Sequence, residues 1–213
     1  MQTRVEKVGW QVSKLLKIPT GLVLASASPR RKELLLQLMP QLKLHIYPAD
    51  IDESLIIAEA GADRVVRLAQ AKAAAVLASL PSNLKNYPVL AADTEVVLEG
   101  VPLGKPESFD HAVALLKQLS GRKHQVTTAV QLIQGDIAQQ AVITTEVSFK
   151  TLTQDEILAY VTTGEPMDKA GGYGIQGLGA AFVTGINGSY SNVVGLPLES
   201  VYLQLQKLEY TVI

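Results

Sequence analysis

Apolar positions along the chain follow two periodicities, and the switches between them predict the elements. Val5, Val8, Val12, Leu15 and Leu16 recur at helical spacing with Arg4, Lys7, Lys14 and Lys17 between them, so residues 1–20 read as an amphipathic helix ending before Pro19. Residues 22–25 read as a short strand, 32–39 as a helix and 42–47 as a second strand. An alanine-rich helix covers 62–80 and is closed by Pro81. The run 88–92 reads as a buried strand that ends at Asp93, and 95–98 leads into a turn at Glu99-Gly100. A helix over 109–119 stops near Gly121. Two long alternating runs, 124–133 and 137–150, are joined by Gly135-Asp136, which is a hairpin signal. Thr153 to Glu156 resembles a capping box opening a helix to about Thr163. A glycine-rich stretch, 164–195, precedes a final helix from about Pro197. Strands and helices mix without strict alternation, so the expected fold class is α/β, a mixed twisted sheet with flanking helices.

Composition narrows the chemistry. With 47% hydrophobic residues among 213, the chain has ample material for a core. No apolar run approaches the roughly 20 residues that span a bilayer. The opening residues also lack the layout of a secretory signal, so a cytoplasmic address and no membrane partner are expected. The absence of cysteine excludes a disulfide framework, a thiolate zinc site and a cysteine nucleophile. A net charge of -1 without a basic tract argues against nucleic acid as a partner. His45, His111 and His124 have no metal-ligand spacing, so any metal should be a hard ion held by carboxylates. The N-terminal helix reads as an added element packed on the domain or on a dimer partner, with a basic membrane-surface helix as the rival reading.

Several local features could bind phosphate. Ser28-Pro29 is a favoured start for a helix, and the free N–H groups there, with Arg30 and Arg31 in the first turn, suit an anion. Arg31 also lies on the stripe of Leu34, Leu35 and Leu38, so it should point inward. Lys72 shares a helix face with Val65, Leu68, Ala69 and Val76, where it must find an anion or extend its stem to the edge. Asp93 at a strand's end could hold a cation or take a proton from water, and Glu95 shares its face if the strand continues. Lys105 lies in a loop between glycine and proline. The stretch from Gly164 to Gly177 carries Lys169, Tyr173 and Gln176 among repeated glycines, which reads as a binding loop. Each feature has an ordinary structural explanation; together they suit a polyphosphate with a metal.

In order, Ser26-Ala-Ser-Pro-Arg-Arg31, Asp50-Ile-Asp-Glu-Ser54, Leu68-Ala-Gln-Ala-Lys-Ala73, Ala92-Asp-Thr94, Leu103-Gly-Lys-Pro106, Gly164-Glu-Pro-Met-Asp-Lys169 and Tyr173-Gly-Ile-Gln-Gly177 resemble the blocks of the Maf (septum-formation inhibitor) family. The resemblance spans residues 21–213 as one domain and leaves 1–20 as an extension. It implies a two-lobed fold similar to inosine triphosphate pyrophosphatases, usually dimeric. It also implies Mg²⁺- or Mn²⁺-dependent hydrolysis of a nucleoside triphosphate to monophosphate and pyrophosphate. Carried over, Asp93 is the proton acceptor or a metal ligand and Glu53 shares the metal or water. Ser28, Arg31, Lys72, Lys105 and Lys169 would hold phosphates. Arg30, Thr94 and Gln176 match the pyrimidine branch, which takes dTTP and UTP. A 7-methyl-GTP pyrophosphatase and a nucleotide-binding regulator of cell division are the alternatives. Glu95 departs from the family's usual apolar residue and is a further candidate ligand if it faces the cleft.

Overall fold

The structure is a computed structural model that describes residues 20–54, 59, 61–210 and 212, so the expected N-terminal helix lies, but for Thr20, outside the described residues. A mixed sheet runs through the molecule in the order β2 (Leu44–Ile46), β1 (Leu22–Leu24), β3 (Val89–Leu98), β5 (Lys123–Gln134), β6 (Ile137–Phe149) and β7 (Val183–Asn187). A two-residue β4 (Val101–Pro102) pairs with the far end of β3. β1 is parallel to β2 and β3, and all later pairings are antiparallel. The expected hairpin is β5–β6, turning through Gly135 at φ 56°.

Helices cover both faces. α1 (Pro29–Leu38) and α6 (Leu198–Lys207) close over Leu24, Leu90, Leu132 and Leu196. α2 (Gly61–Ser79) lies on the opposite face, over Val23, Val89 and Ala91. α3 (Phe109–Leu119) and α4 (Gln154–Thr162) build a separate core at the other end with Val96, Phe149 and Tyr173. The long strands β3 and β5 enter both cores, which gives two lobes on one sheet. α4 has the full capping box, Thr153 accepting from the Glu156 amide and Glu156 accepting from the Thr153 amide.

β3 departs from expectation in a way that makes the site. The strand does not stop at Asp93: its ladder with β5 is unbroken from Val89 to Val97, and Asp93 pairs with Ala129 in the middle. What ends there is β1, whose last partner on β3 is Leu90. β4 begins pairing only at Val97. Between these two neighbours β3 has β5 on one side and, among the described residues, no strand on the other. The glycine-rich stretch is also more regular than expected. It holds three turns of 3-10 helix, β7 and a short α5 (Tyr190–Val194), none of which has a hydrophobic period long enough to read.

Candidate functional site

A cavity of about 600 Å³ opens along that free edge of β3. Successive side chains of a strand leave on opposite faces, so Asp93 turns towards α2 and Thr94 towards α1, and the cleft reaches both. Lys72 meets Asp93 from the buried face of α2, where Val65, Leu68, Ala69 and Val76 are buried around it. Its Nζ lies 2.7 Å from Asp93 Oδ1 and 2.7 Å from Glu53 Oε1. Lys72 and Asp93 are 8% and 7% exposed, so the ammonium is answered by an anion and does not snorkel to the edge. Burial pushes the Glu53 carboxyl up, but the hydrogen bond and charge of Lys72, with Lys105 and Arg64 beyond, hold it below the ordinary carboxylate range.

Arg31 occupies the other face. Its Nε donates to the Gly195 carbonyl at 2.9 Å, Nη1 to Ser26 Oγ at 3.1 Å and Nη2 to Thr94 Oγ1 at 3.1 Å. It points inward as its place on the leucine stripe requires, and two of its five N–H groups remain uncommitted to these partners. Thr94 continues the chain to Thr128 at 2.9 Å, which donates to the Asn192 carbonyl at 3.2 Å. Ser28 is the N-cap of α1 and lines the cleft beside Ser26.

The glycine-rich loop forms the opposite wall. Glu165 accepts from the amides of Leu178 and Gly179 and from the Tyr160 hydroxyl, and that hydroxyl accepts from the Gly174 amide, so the loop is held in shape. Gly171 has φ 68°, and a Cβ there would sit 2.9 Å from the Val96 side chain, so glycine is required for the loop to lie on β3. Lys169 donates to the Glu165 carbonyl at 2.6 Å and to Asp168 at 2.7 Å. Arg30 reaches across to the same Asp168 at 3.0 Å. Lys105 and Gln176 line the cleft, are exposed, and make no hydrogen bond among the described residues.

Thus Ser28, Arg30, Arg31, Glu53, Lys72, Asp93, Thr94, Lys105, Lys169 and Gln176 all line one cleft. Glu95 does not. It is 1% exposed and accepts at Oε1 a hydrogen bond from Arg64 Nη1 at 2.6 Å, facing neither solvent nor the cavity. Burial pushes its carboxyl up against the pull of Arg64, and Asp93 adds to the rise. Sequence reading passed over Ser26, Arg64, Thr128, Asp168 and Gly195. Arg64 and Asp168 carry charge, which was the available signal; Thr128 and Gly195 acquire their roles only through contacts distant in sequence.

Among the described residues no group of three or more Asp, Glu or His side chains is placed to hold a metal. Two carboxylates do converge, both bound to Lys72, and their second oxygens make no hydrogen bond among the described residues. Two hard oxygen donors fit a divalent cation that draws its other ligands from phosphate and water.

The model of the family described as "Maf-like protein" matches residues 21–208. A dTTP/UTP pyrophosphatase from Colwellia psychrerythraea is 53% identical over 178 residues, 83% of this chain and 83% of that protein. One of the same name from Escherichia coli O157:H7 is 49% identical over 183 residues, 86% of this chain and 90% of its own. A solved nucleoside-triphosphatase / dITP/XTP pyrophosphatase from Mycobacterium abscessus covers 89% of this chain and 94% of its own at 16% identity, with a TM-score of 0.43. No helix among the described residues is long and apolar enough to cross a membrane.

Proposed function

The chain belongs to the family of Maf-like proteins, and on that premise we propose that it hydrolyses the pyrimidine nucleotides dTTP and UTP to the monophosphate and pyrophosphate. The observation that carries the reading is the Lys72 ammonium held between Asp93 and Glu53 in a cleft that Arg30, Lys105 and Lys169 also line. Such an arrangement sets a proton acceptor beside positive groups suited to a triphosphate.

In this reading water attacks the α-phosphorus, the bond from that phosphorus to the α–β bridging oxygen breaks, and pyrophosphate leaves. Asp93 accepts the water's proton. Lys72, Lys105 and Lys169 offset charge that builds on the phosphate oxygens, and Ser28 offers its hydroxyl at the start of α1. Arg31 braces the walls and turns its remaining N–H groups to phosphate. Asp93 and Glu53 would hold a divalent cation, Mg²⁺ or Mn²⁺, whose chemistry is to neutralise phosphate and acidify a water. Gln176 reads the base, because its amide offers one donor and one acceptor to the N3–H and O4 edge of a pyrimidine. Arg30 and Thr94 shape the same end of the site. The reading takes the protein as a cytoplasmic homodimer.

Incubation with a panel of nucleoside triphosphates and Mg²⁺ or Mn²⁺, followed by product identification, tests this directly. A pyrimidine monophosphate with pyrophosphate is expected; a diphosphate with orthophosphate contradicts the proposal.

A further inference from the structure

Glu95 is a fully buried carboxylate on a strand whose neighbours Val96, Val97 and Leu98 are apolar. Its Oε2 and the Nε of its partner Arg64 are both buried and find no hydrogen-bond partner among the described residues. Such a pair is costly, and apolar residues of similar volume serve stability at least as well. The cost is matched by what the other end of Arg64 does. Its Nη2 donates to the backbone carbonyl of Glu53 at 2.9 Å. One turn along α2 the arrangement recurs: Arg67 donates to the Ser54 carbonyl at 3.2 Å and is gripped by Glu59 at 2.6 and 2.7 Å. Residues three apart on a helix share a face, so two arginines hold consecutive carbonyls within residues 51–54, which form no helix or strand.

Building on the role of Glu53 proposed above, we infer that Arg64, oriented by buried Glu95, is a positioning residue that fixes the Glu53 backbone and so aims its carboxylate at Lys72 and Asp93. Glu95 thereby serves the reaction from outside the cleft. Its place after Asp93-Thr94 is explained by a contact with α2 and not by a ligand.

Removing Arg64 alone would strand a buried charge, so the informative variant is the double substitution Arg64→Leu/Glu95→Leu. Its kcat for dTTP should fall about 10- to 100-fold with KM changed less than about threefold, and amides of residues 50–54 should exchange faster with solvent. The milder Arg64→Lys keeps a charge for Glu95 but loses the two-armed fork, and it should lose kcat in the same direction. Both losses should vanish in a Glu53→Gln background, because the lever then has nothing to aim. An unchanged kcat, or a loss of equal size in that background, overturns the inference while leaving the function intact. A Glu53→Gln enzyme with normal kcat instead removes the role of Glu53 and the inference with it.

Discussion

Arg31 Nη2 and Thr94 Oγ1 meet at 3.1 Å, joining the first turn of α1 to the cleft-lining edge of β3 one residue from Asp93. The contact makes Arg31 part of the frame that braces the cleft. Thr94→Val keeps the shape of the side chain but removes the acceptor, leaving an Arg31 N–H and the Thr128 hydroxyl each short of a partner. An unmade buried hydrogen bond costs about 1–3 kcal/mol. Urea unfolding should register that loss, and kcat should fall with it; an unchanged midpoint would show the contact to be dispensable.

Asp93 and Lys72 should separate in a stability measurement. Asp93→Asn leaves Lys72 paired with Glu53, so the fold should hold while kcat drops about 10²- to 10⁴-fold for want of a proton acceptor. Lys72→Met leaves two carboxylates facing each other, one of them buried, and should destabilise by about 3 kcal/mol or more. Adding Asp93→Asn to Lys72→Met should restore part of that stability without restoring turnover. Denaturant midpoints of the three variants, read beside their kcat, decide it.

How much of this was legible in the chain follows from the range of each interaction. Lys72 could be read because helical periodicity alone puts it among Val65, Leu68 and Val76, and a cation there needs an anion. Ser28 and the Thr153–Glu156 box are local, and both cap their helices as read. Asp93 was placed at a strand end because the apolar run stops there. The ladder that carries β3 onward belongs to β5, with Thr94 to Val97 paired to Thr128 back to Gln125, and the apolar run 88–92 does not reveal so distant a partner. The same reason hides Arg64–Glu95 and Arg30–Asp168, which span 31 and 138 residues.

His124, which does not itself line the cleft, should limit the protein's stability in acid. It is 2% exposed, its Nε2 lies 2.7 Å from the Tyr173 hydroxyl, and its Nδ1 has no partner among the described residues. Burial pushes its pKa from 6.5 down to about 4. The unfolded chain therefore binds the proton more readily than the native state between these values, and stability falls as pH drops through that window. The loss is on the order of 3 kcal/mol by pH 4. His124→Gln, which cannot take the proton, should flatten the pH dependence of the urea midpoint between 6.5 and 4; a slope equal to that of the unaltered protein would assign the sensitivity elsewhere.

Gln176 tests the choice of base most sharply because its amide lines the cleft with no bond to the described residues. Its neighbourhood is rigid, with Gly174 and Leu178 on either side tied to Tyr160 and Glu165, so a substitution should change chemistry and not loop shape. Gln176→Glu keeps the size and the acceptor but turns the donor into a second acceptor, which opposes a pyrimidine O4. A site left with mismatched polar groups discriminates strongly, so kcat/KM for UTP and dTTP should fall about 10²-fold or more. CTP presents an amino group where UTP presents O4, and it should lose less or gain. Competition between UTP and CTP in one reaction measures the ratio directly. A UTP preference unchanged by Gln176→Glu would show that the amide faces the base without reading it.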